Sequence, residues 1–285
     1  MLIGFLGYGE AARAFHEGLA RPGLSFRAHD RLLIGPTSVA MRAAMTERGA
    51  EICEVAADLW QADWIFSAVT ADQSLDAARS LAPFLRQKQV FIDINSVSPD
   101  RKRATAELVI ATGAEYLDMA VMAPVLPNRH ATPVLIAGPQ APDLLPHLQA
   151  LGFSAEIAGE TVGAATAIKM VRSLFVKGLE AITVEALLAA AASGCLEPVL
   201  ASLSRSFPGL GWLDFPAYQF ERTVHHGERR AAEMLECAET LAGLGLGGGL
   251  AREIAEVQAQ MGRCGMPSST SLQDLVPDIL RQRLA

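Results

Sequence analysis

The segment Leu2-Ile3-Gly4-Phe5-Leu6-Gly7-Tyr8-Gly9-Glu10-Ala11-Ala12 constrains this chain more than any other stretch. A short apolar run ends in two closely spaced glycines and passes directly into an alanine-rich segment. That is the pattern of a buried parallel strand turning sharply into a helix. Gly7 permits the tight turn, Gly9 lets the backbone approach a pyrophosphate, and Ala12 is small enough for close helix–sheet packing. Backbone N–H groups at the helix start then face an anion. Tyr8, Glu10 and Ala11 complete the set of cofactor-contacting positions in the turn. Asp30 closes the next strand candidate, near the acidic position expected about 20 residues on. A carboxylate there accepts hydrogen bonds from an adenosine ribose and repels a 2′-phosphate, which favours NAD. Arg31 follows directly and offers a partner for that phosphate, so NADP stands as the alternative.

The rest of the first half repeats the alternation. Strands are expected at Leu2–Leu6, Ser25–His29, Asp63–Val69, Gln89–Ile94, Glu115–Ala120, Pro133–Ala137 and Ser154–Ile157. Helices are expected at Ala11–Leu19, Val39–Arg48, Leu75–Leu85 and Asp100–Thr112, with Pro99 in the first turn of the last. Alternation of this kind predicts a parallel sheet covered on both faces. The character changes near Gly159. Thr161–Ala192 carries a long helical pattern, and no strand alternation returns after it. Breaks are expected at Gly194, Pro198, Pro208–Gly211, Pro216 and Gly243–Gly249. The chain is therefore read as α/β: a Rossmann-type dinucleotide-binding domain over 1–158, then an all-helical domain over 159–285 for substrate binding and oligomerisation.

Composition excludes several classes. With 51% hydrophobic and 19% charged residues the chain is globular rather than disordered. A formal net charge of -7 without a basic stripe argues against nucleic acid as a partner. The apolar start, Met1–Leu6, is too short for a signal peptide. Glu185 interrupts the most apolar helical stretch, Ala181–Leu196, so no membrane span is expected. Cys53, Cys195, Cys237 and Cys264 form no CxxC pair and read as reduced thiols of a cytoplasmic protein. His225 and His226 lack cysteine or carboxylate partners at metal-site spacing, so no metal is expected.

With these motifs in place the chain resembles the β-hydroxyacid dehydrogenase superfamily, which includes 3-hydroxyisobutyrate and 6-phosphogluconate dehydrogenases. Ile3-Gly4-Phe5-Leu6-Gly7-Tyr8-Gly9 resembles its dinucleotide turn. Val69-Thr70 is similar to its loop beneath the nicotinamide-side phosphates, and Asp93-Ile94-Asn95-Ser96-Val97-Ser98-Pro99 to its strand–serine segment. Asp118-Met119-Ala120-Val121-Met122-Ala123 falls where the family binds substrate, with Met122 and Ala123 in place of its usual Ser-Gly pair. Gly163-Ala164-Ala165-Thr166-Ala167-Ile168-Lys169 is similar to the interdomain helix that bears the catalytic lysine. Ser173 stands where an asparagine is usual. The resemblance covers about residues 1–185. Beyond it the chain looks like a divergent branch with its own helical domain, marked by the charged segment Glu221–Met234.

The resemblance implies transfer of a hydride between nicotinamide and a small hydroxy acid or related alcohol. Lys169 is the candidate general acid/base, in an apolar helical stretch where desolvation favours the neutral amine. Asn95 and Ser96 lie at the ligand-facing end of a strand and are candidates to orient substrate or the nicotinamide ribose. Ser173, one helical turn past Lys169, shares its face. Arg222 and His226 share a face of the charged segment, where an arginine suits a substrate carboxylate. The bland alternative for that segment is a solvated helix laced with intrahelical salt bridges. Two other functions stay open: NAD(P)H-dependent reduction of a C=N bond, and non-enzymatic dinucleotide sensing. The charge-poor run Ala181–Ala192 is expected to be buried, most simply in a homodimer.

Overall fold

The computed structural model describes residues 1–212, 214–265 and 271–285. Residues 213 and 266–270 of the expected helical half lie outside the described residues. The chain divides into two compact units, Met1–Met170 and Val171–Ala285.

The first unit is a sheet with helices on its faces. Its strands are β1 (Leu2–Leu6), β2 (Ser25–His29), β3 (Glu51–Ile52), β4 (Trp64–Ser67), β5 (Val90–Asp93), β6 (Glu115–Val121), β7 (Val134–Ala137) and β8 (Ala155–Gly159). Between them run α1 (Glu10–Leu19), α2 (Ser38–Glu47), α3 (Ser74–Leu81), α4 (Pro99–Ile110) and α5 (Ala141–Ala150). The sheet order is β3-β2-β1-β4-β5-β6-β7-β8. Because the chain leaves β1 to one side and returns to β4 on the other, the carboxyl end of β1 lies at a switch point, where such sheets bind ligands.

Alternation along each strand divides the core between two faces. Phe5, Phe66, Ile92 and Leu117 join one apolar cluster with Phe15 and Leu19 of α1 and Phe153. Their neighbours Leu6, Ile65, Phe91 and Tyr116 point the other way, against Leu81 of α3 and Val109 of α4. One feature departs from the parallel expectation: β6 and β7 pair antiparallel, so β7 and β8 run against the rest. Parallel neighbours need a helical crossover. The connection over 122–133 contains only a single 3₁₀ turn, Arg129–Ala131, and the chain folds straight back. Strand β3 and helix α5 were not anticipated from sequence.

The long helix α6 (Ala164–Ala192) begins in the first unit. The second contains the rest of α6 with α7 (Leu196–Ser206), α8 (Phe215–Gly243), α9 (Gly249–Gly262) and α10 (Leu272–Leu284). Its core joins Val184, Leu187 and Leu188 of α6 to Phe220 and Val224 of α8, Met261 of α9, and Val276 and Ile279 of α10. Helices α8 and α9 cross where Gly227 meets Gly262; a Cβ on Gly227 would strike Gln258 O and come within 2.6 Å of Gly262 N. Gly194 breaks the helical run with φ +67. Pro198 and Pro216, expected as breaks, instead lie inside the first turns of α7 and α8. Intrahelical N–H bonds are missing in a first turn anyway, so proline costs little there.

Candidate functional site

The glycine turn joins β1 to α1. Gly7 has φ +87, and a Cβ there would lie 2.5 Å from Ala68 O. Its N–H donates to His29 O (2.8 Å), tying the turn to β2. Gly9 is the N-cap of α1, and no side chain caps that helix end. A Cβ on Gly9 would meet nothing within 4 Å. The helix start thus opens onto free space with its backbone uncovered, which fits a dinucleotide pyrophosphate.

Asp30 is buried at the end of β2. Its Oδ2 accepts from Tyr8 N (2.7 Å) and its Oδ1 from Leu32 N (2.8 Å). The carboxylate thus braces the glycine turn, and each oxygen keeps a second lone pair for a ribose hydroxyl. Arg31 is exposed beside it. The Tyr8 side chain turns inward, where its hydroxyl hydrogen bonds to His16 Nδ1 (2.6 Å). Burial pushes Tyr8 up to about 12 and His16 down to about 4, so both are neutral near pH 7.

Beyond β4, Val69 N donates to Asn95 Oδ1 (2.7 Å), and Asn95 Nδ2 donates to Ser67 Oγ (2.9 Å). Asn95 therefore binds the carboxyl ends of β4 and β5 together. Thr70 opens the following 3₁₀ turn. Its hydroxyl, with the Gln73 amide, holds the Asp72 carboxyl below its ordinary range. Ser96 is half-exposed between buried Asn95 and buried Val97. Lys169 Nζ donates to Ser96 Oγ at 2.6 Å, across 73 residues of sequence. Met122 and Ala123 follow β6, the first half-exposed and the second exposed, with Met122 N donating to Pro133 O (2.9 Å).

Sequence reasoning missed what lies beneath this pair. Lys102, Asp93 and Asp118 are fully buried. Lys102 Nζ lies 3.0 Å from Asp93 Oδ1 and 3.3 Å from Asp118 Oδ1, and donates to Asp93 O (2.5 Å). Tyr116 OH donates to Asp93 Oδ2 (2.8 Å), and burial holds its pKa well above the ordinary phenol value. Burial also raises Asp118, against the pull of Lys102. One signal was available. Lys102 shares the helical register of buried Thr105, Ala106 and Val109 on α4, and a lysine on an apolar face calls for buried acids.

In the second unit, Ser173 is buried on α6. Arg222 and His226 are half-buried on α8. The buried Nε of Arg222 has no hydrogen-bond partner among the described residues. Burial first, then Arg222, Arg229 and Arg230, lower His226 below its ordinary pKa. The charged segment is not simply a solvated helix. Arg230 is buried and paired with Glu180 of α6, and Lys177 of α6 reaches Glu233 at 2.8 Å. The cause is packing: Arg230 and Glu233, three residues apart on one face of α8, both meet α6. None of the four cysteines forms a disulfide among the described residues. Among the described residues no helix is long and apolar enough to cross a membrane.

A doubly flanked sheet with an open glycine turn at its switch point defines a Rossmann-type, NAD(P)-binding oxidoreductase fold. Residues 2–159 match the family model described as the NAD binding domain of 6-phosphogluconate dehydrogenase, and the chain belongs to that family. Residues 190–261 match a domain of unknown function, DUF1932. The chain is similar to a conserved hypothetical protein from Sinorhizobium meliloti 1021, at 37% identity and TM-score 0.78, covering 99% of this chain and 96% of that one. It is also similar to a conserved protein of unknown function noted for structural similarity with 3-hydroxyacid dehydrogenases. That match has 26% identity and TM-score 0.70, over 92% of this chain and 96% of the other. Mycobacterium tuberculosis 3-hydroxyisobutyrate dehydrogenase shares the fold at 15% identity and TM-score 0.73, over 100% and 99% of the two chains.

Proposed function

We propose that the protein is an NAD(P)-dependent dehydrogenase acting on a small, carboxylate-bearing hydroxy acid or related alcohol. The observation that carries this reading is the 2.6 Å hydrogen bond between Lys169 Nζ and Ser96 Oγ. It puts an amine beside the carboxyl end of β5, in the same unit and along the same sheet edge as the glycine turn. When bound, the nicotinamide supplies the site that takes or gives the hydride. Lys169 manages the proton: as the neutral amine it accepts the hydroxyl proton of an alcohol, and as the ammonium it returns one in the reverse direction. Ser96 keeps the amine aimed, and Asn95 holds the Ser96 segment against the loop at Val69.

On this reading Gly7, Tyr8, Gly9, Glu10, Ala11, Asp30, Arg31, Val69, Thr70 and Asn95 form the cofactor face, with NAD preferred over NADP through Asp30. Met122, Ala123, Ser173, Arg222 and His226 are assigned to the substrate. The Arg222 Nε, without a hydrogen-bond partner among the described residues, supports a role in holding a carboxylate. The helical unit is assigned to substrate binding and to pairing with a second copy, in the cytoplasm. The test is fluorescence titration of NADH and NADPH, followed by turnover with a panel of short 2- and 3-hydroxy acids. Tight dinucleotide binding and cofactor reduction with at least one hydroxy acid are expected. Binding without turnover, or turnover only with imines, would overturn the assignment.

A further inference from the structure

Asp93 and Asp118 are register partners on adjacent parallel strands, β5 and β6. Their side chains therefore leave the sheet on one face, and two buried carboxylates side by side repel. Lys102, arriving from α4, lies between them: its Nζ donates to Asp93 O and pairs with Asp93 Oδ1 at 3.0 Å and, more loosely, with Asp118 Oδ1 at 3.3 Å, an oxygen that has no hydrogen-bond partner of its own among the described residues. The other carboxylate oxygens are spoken for. Asp93 holds Tyr116 OH and Asn95 N. Asp118 Oδ2 accepts from Gly163 N (3.1 Å) and Thr166 N (3.2 Å), at the start of α6. A carboxylate at a helix N-terminus satisfies orphan donors and meets the positive end of the dipole. Thr166 adds a second tie, its Oγ1 donating to Val97 O (2.7 Å), the residue next to Ser96. Lys169 lies three residues beyond Thr166 and so shares its helix face.

We propose that Asp118, locked in place by Lys102, is a positioning residue that clamps the first turn of α6 and thereby sets Lys169 against Ser96. Its job is mechanical: α6 starts at one fixed point and one fixed rotation relative to the strand ends. This rests on Lys169 as the working amine, but the measurement below reads the amine's position and not turnover. Loss of the clamp and failure of the dehydrogenase reading are therefore separable.

The comparison uses two variants on an Asp93→Asn background, so that no buried carboxylate is left without its cation, and both remove the Lys102–Asp118 pair. Lys102→Met with Asp118→Asn keeps an amide oxygen for Gly163 N and Thr166 N. Lys102→Met with Asp118→Ala removes it. Limited acetylation of the full chain, read by peptide mass spectrometry, gives the rate at Lys169 relative to exposed Lys88. The asparagine pair should label Lys169 at the wild-type rate. The alanine pair should label it about three- to tenfold faster, the factor that follows from losing roughly one net hydrogen bond. Equal rates in all three proteins, or the same acceleration in both variants, would overturn the clamp. If the alanine pair does not fold, Thr166→Val, which keeps the shape and drops the bond to Val97 O, should accelerate labelling at Lys169. An unchanged rate there would also overturn it.

Discussion

Lys169 and Asp30 are each assigned one task, and each can be removed without touching the other. Lys169→Ala should lower turnover by about 10²- to 10⁴-fold, the usual value of a positioned acid–base group. Cofactor affinity should hold, since the glycine turn is intact. Lys169→Arg should fail as well, because a guanidinium keeps its proton. Single-turnover hydride transfer measured beside cofactor affinity decides this; more than a tenth of the wild-type rate in Lys169→Ala would make the residue structural. Asp30→Ala should weaken NAD binding and relax discrimination against NADP. It should also loosen the turn, since Tyr8 N and Leu32 N lose their acceptor. Wild-type protein binding NADP more tightly than NAD would transfer the role to Arg31. His16 gives a pH prediction of definite sign. Its folded pKa is depressed from 6.5 to about 4. The stability it contributes is therefore present above pH 6.5 and is lost as pH falls through the folded value. Between those limits the unfolded chain takes up a proton that folded His16 refuses, and stability falls by about 1.4 kcal/mol per pH unit. Urea titrations across that window should show a shallower slope in His16→Gln.

At the scale of elements, the glycines separate folding from binding. Gly7→Ala combines an unfavourable φ with a clash on Ala68 O and should cost about 2 kcal/mol or more. Gly9→Ala meets no neighbour and needs no unusual φ. Its stability should stay within about 0.5 kcal/mol of wild type, while dinucleotide affinity drops at least about tenfold as the methyl fills the phosphate approach. Equal affinity of Gly9→Ala and wild type would remove the glycine turn from the cofactor site. Gly227→Ala, at the crossing of α8 and α9, should cost about 2–3 kcal/mol by forcing the helices apart, as read by chemical denaturation.

For the whole molecule the open matter is assembly. Helix α6 exposes Val171 at 52%, Phe175 at 73% and Ile182 at 66%. An apolar series of this kind on a long helix is costly to leave in water. A homodimer that covers it is expected, and sedimentation at micromolar concentration should give twice the 30.3 kDa chain mass. Phe175→Glu should shift the protein toward the monomer. A wild-type protein that sediments only as the monomer ends the proposal. The net charge of -7 carries a further consequence. A dinucleotide is attracted only locally, by the uncapped start of α1, so its affinity should fall only modestly with salt.

Legible in the amino-acid sequence alone were β1, β2, β4 and β5, the glycine turn, the place of Asp30 and the long helix that bears Lys169. Those features are local: a strand's burial, a turn's φ and a helix's period are all set within a few residues. Tertiary structure alone decided the reversal of β7 and β8, because antiparallel pairing follows from what the 122–133 connection lacks. It also set Arg230 and Glu233 of the charged segment against Glu180 and Lys177 of another helix. Most of all it decided the Lys102–Asp93–Asp118 cluster. Asp93 and Asp118 stand in separate segments of the chain, and neither carries a sign that they are neighbours until β5 and β6 pair. A buried charge is tolerable only beside its partner, and which partner it meets is fixed by strand order and register rather than by spacing along the chain.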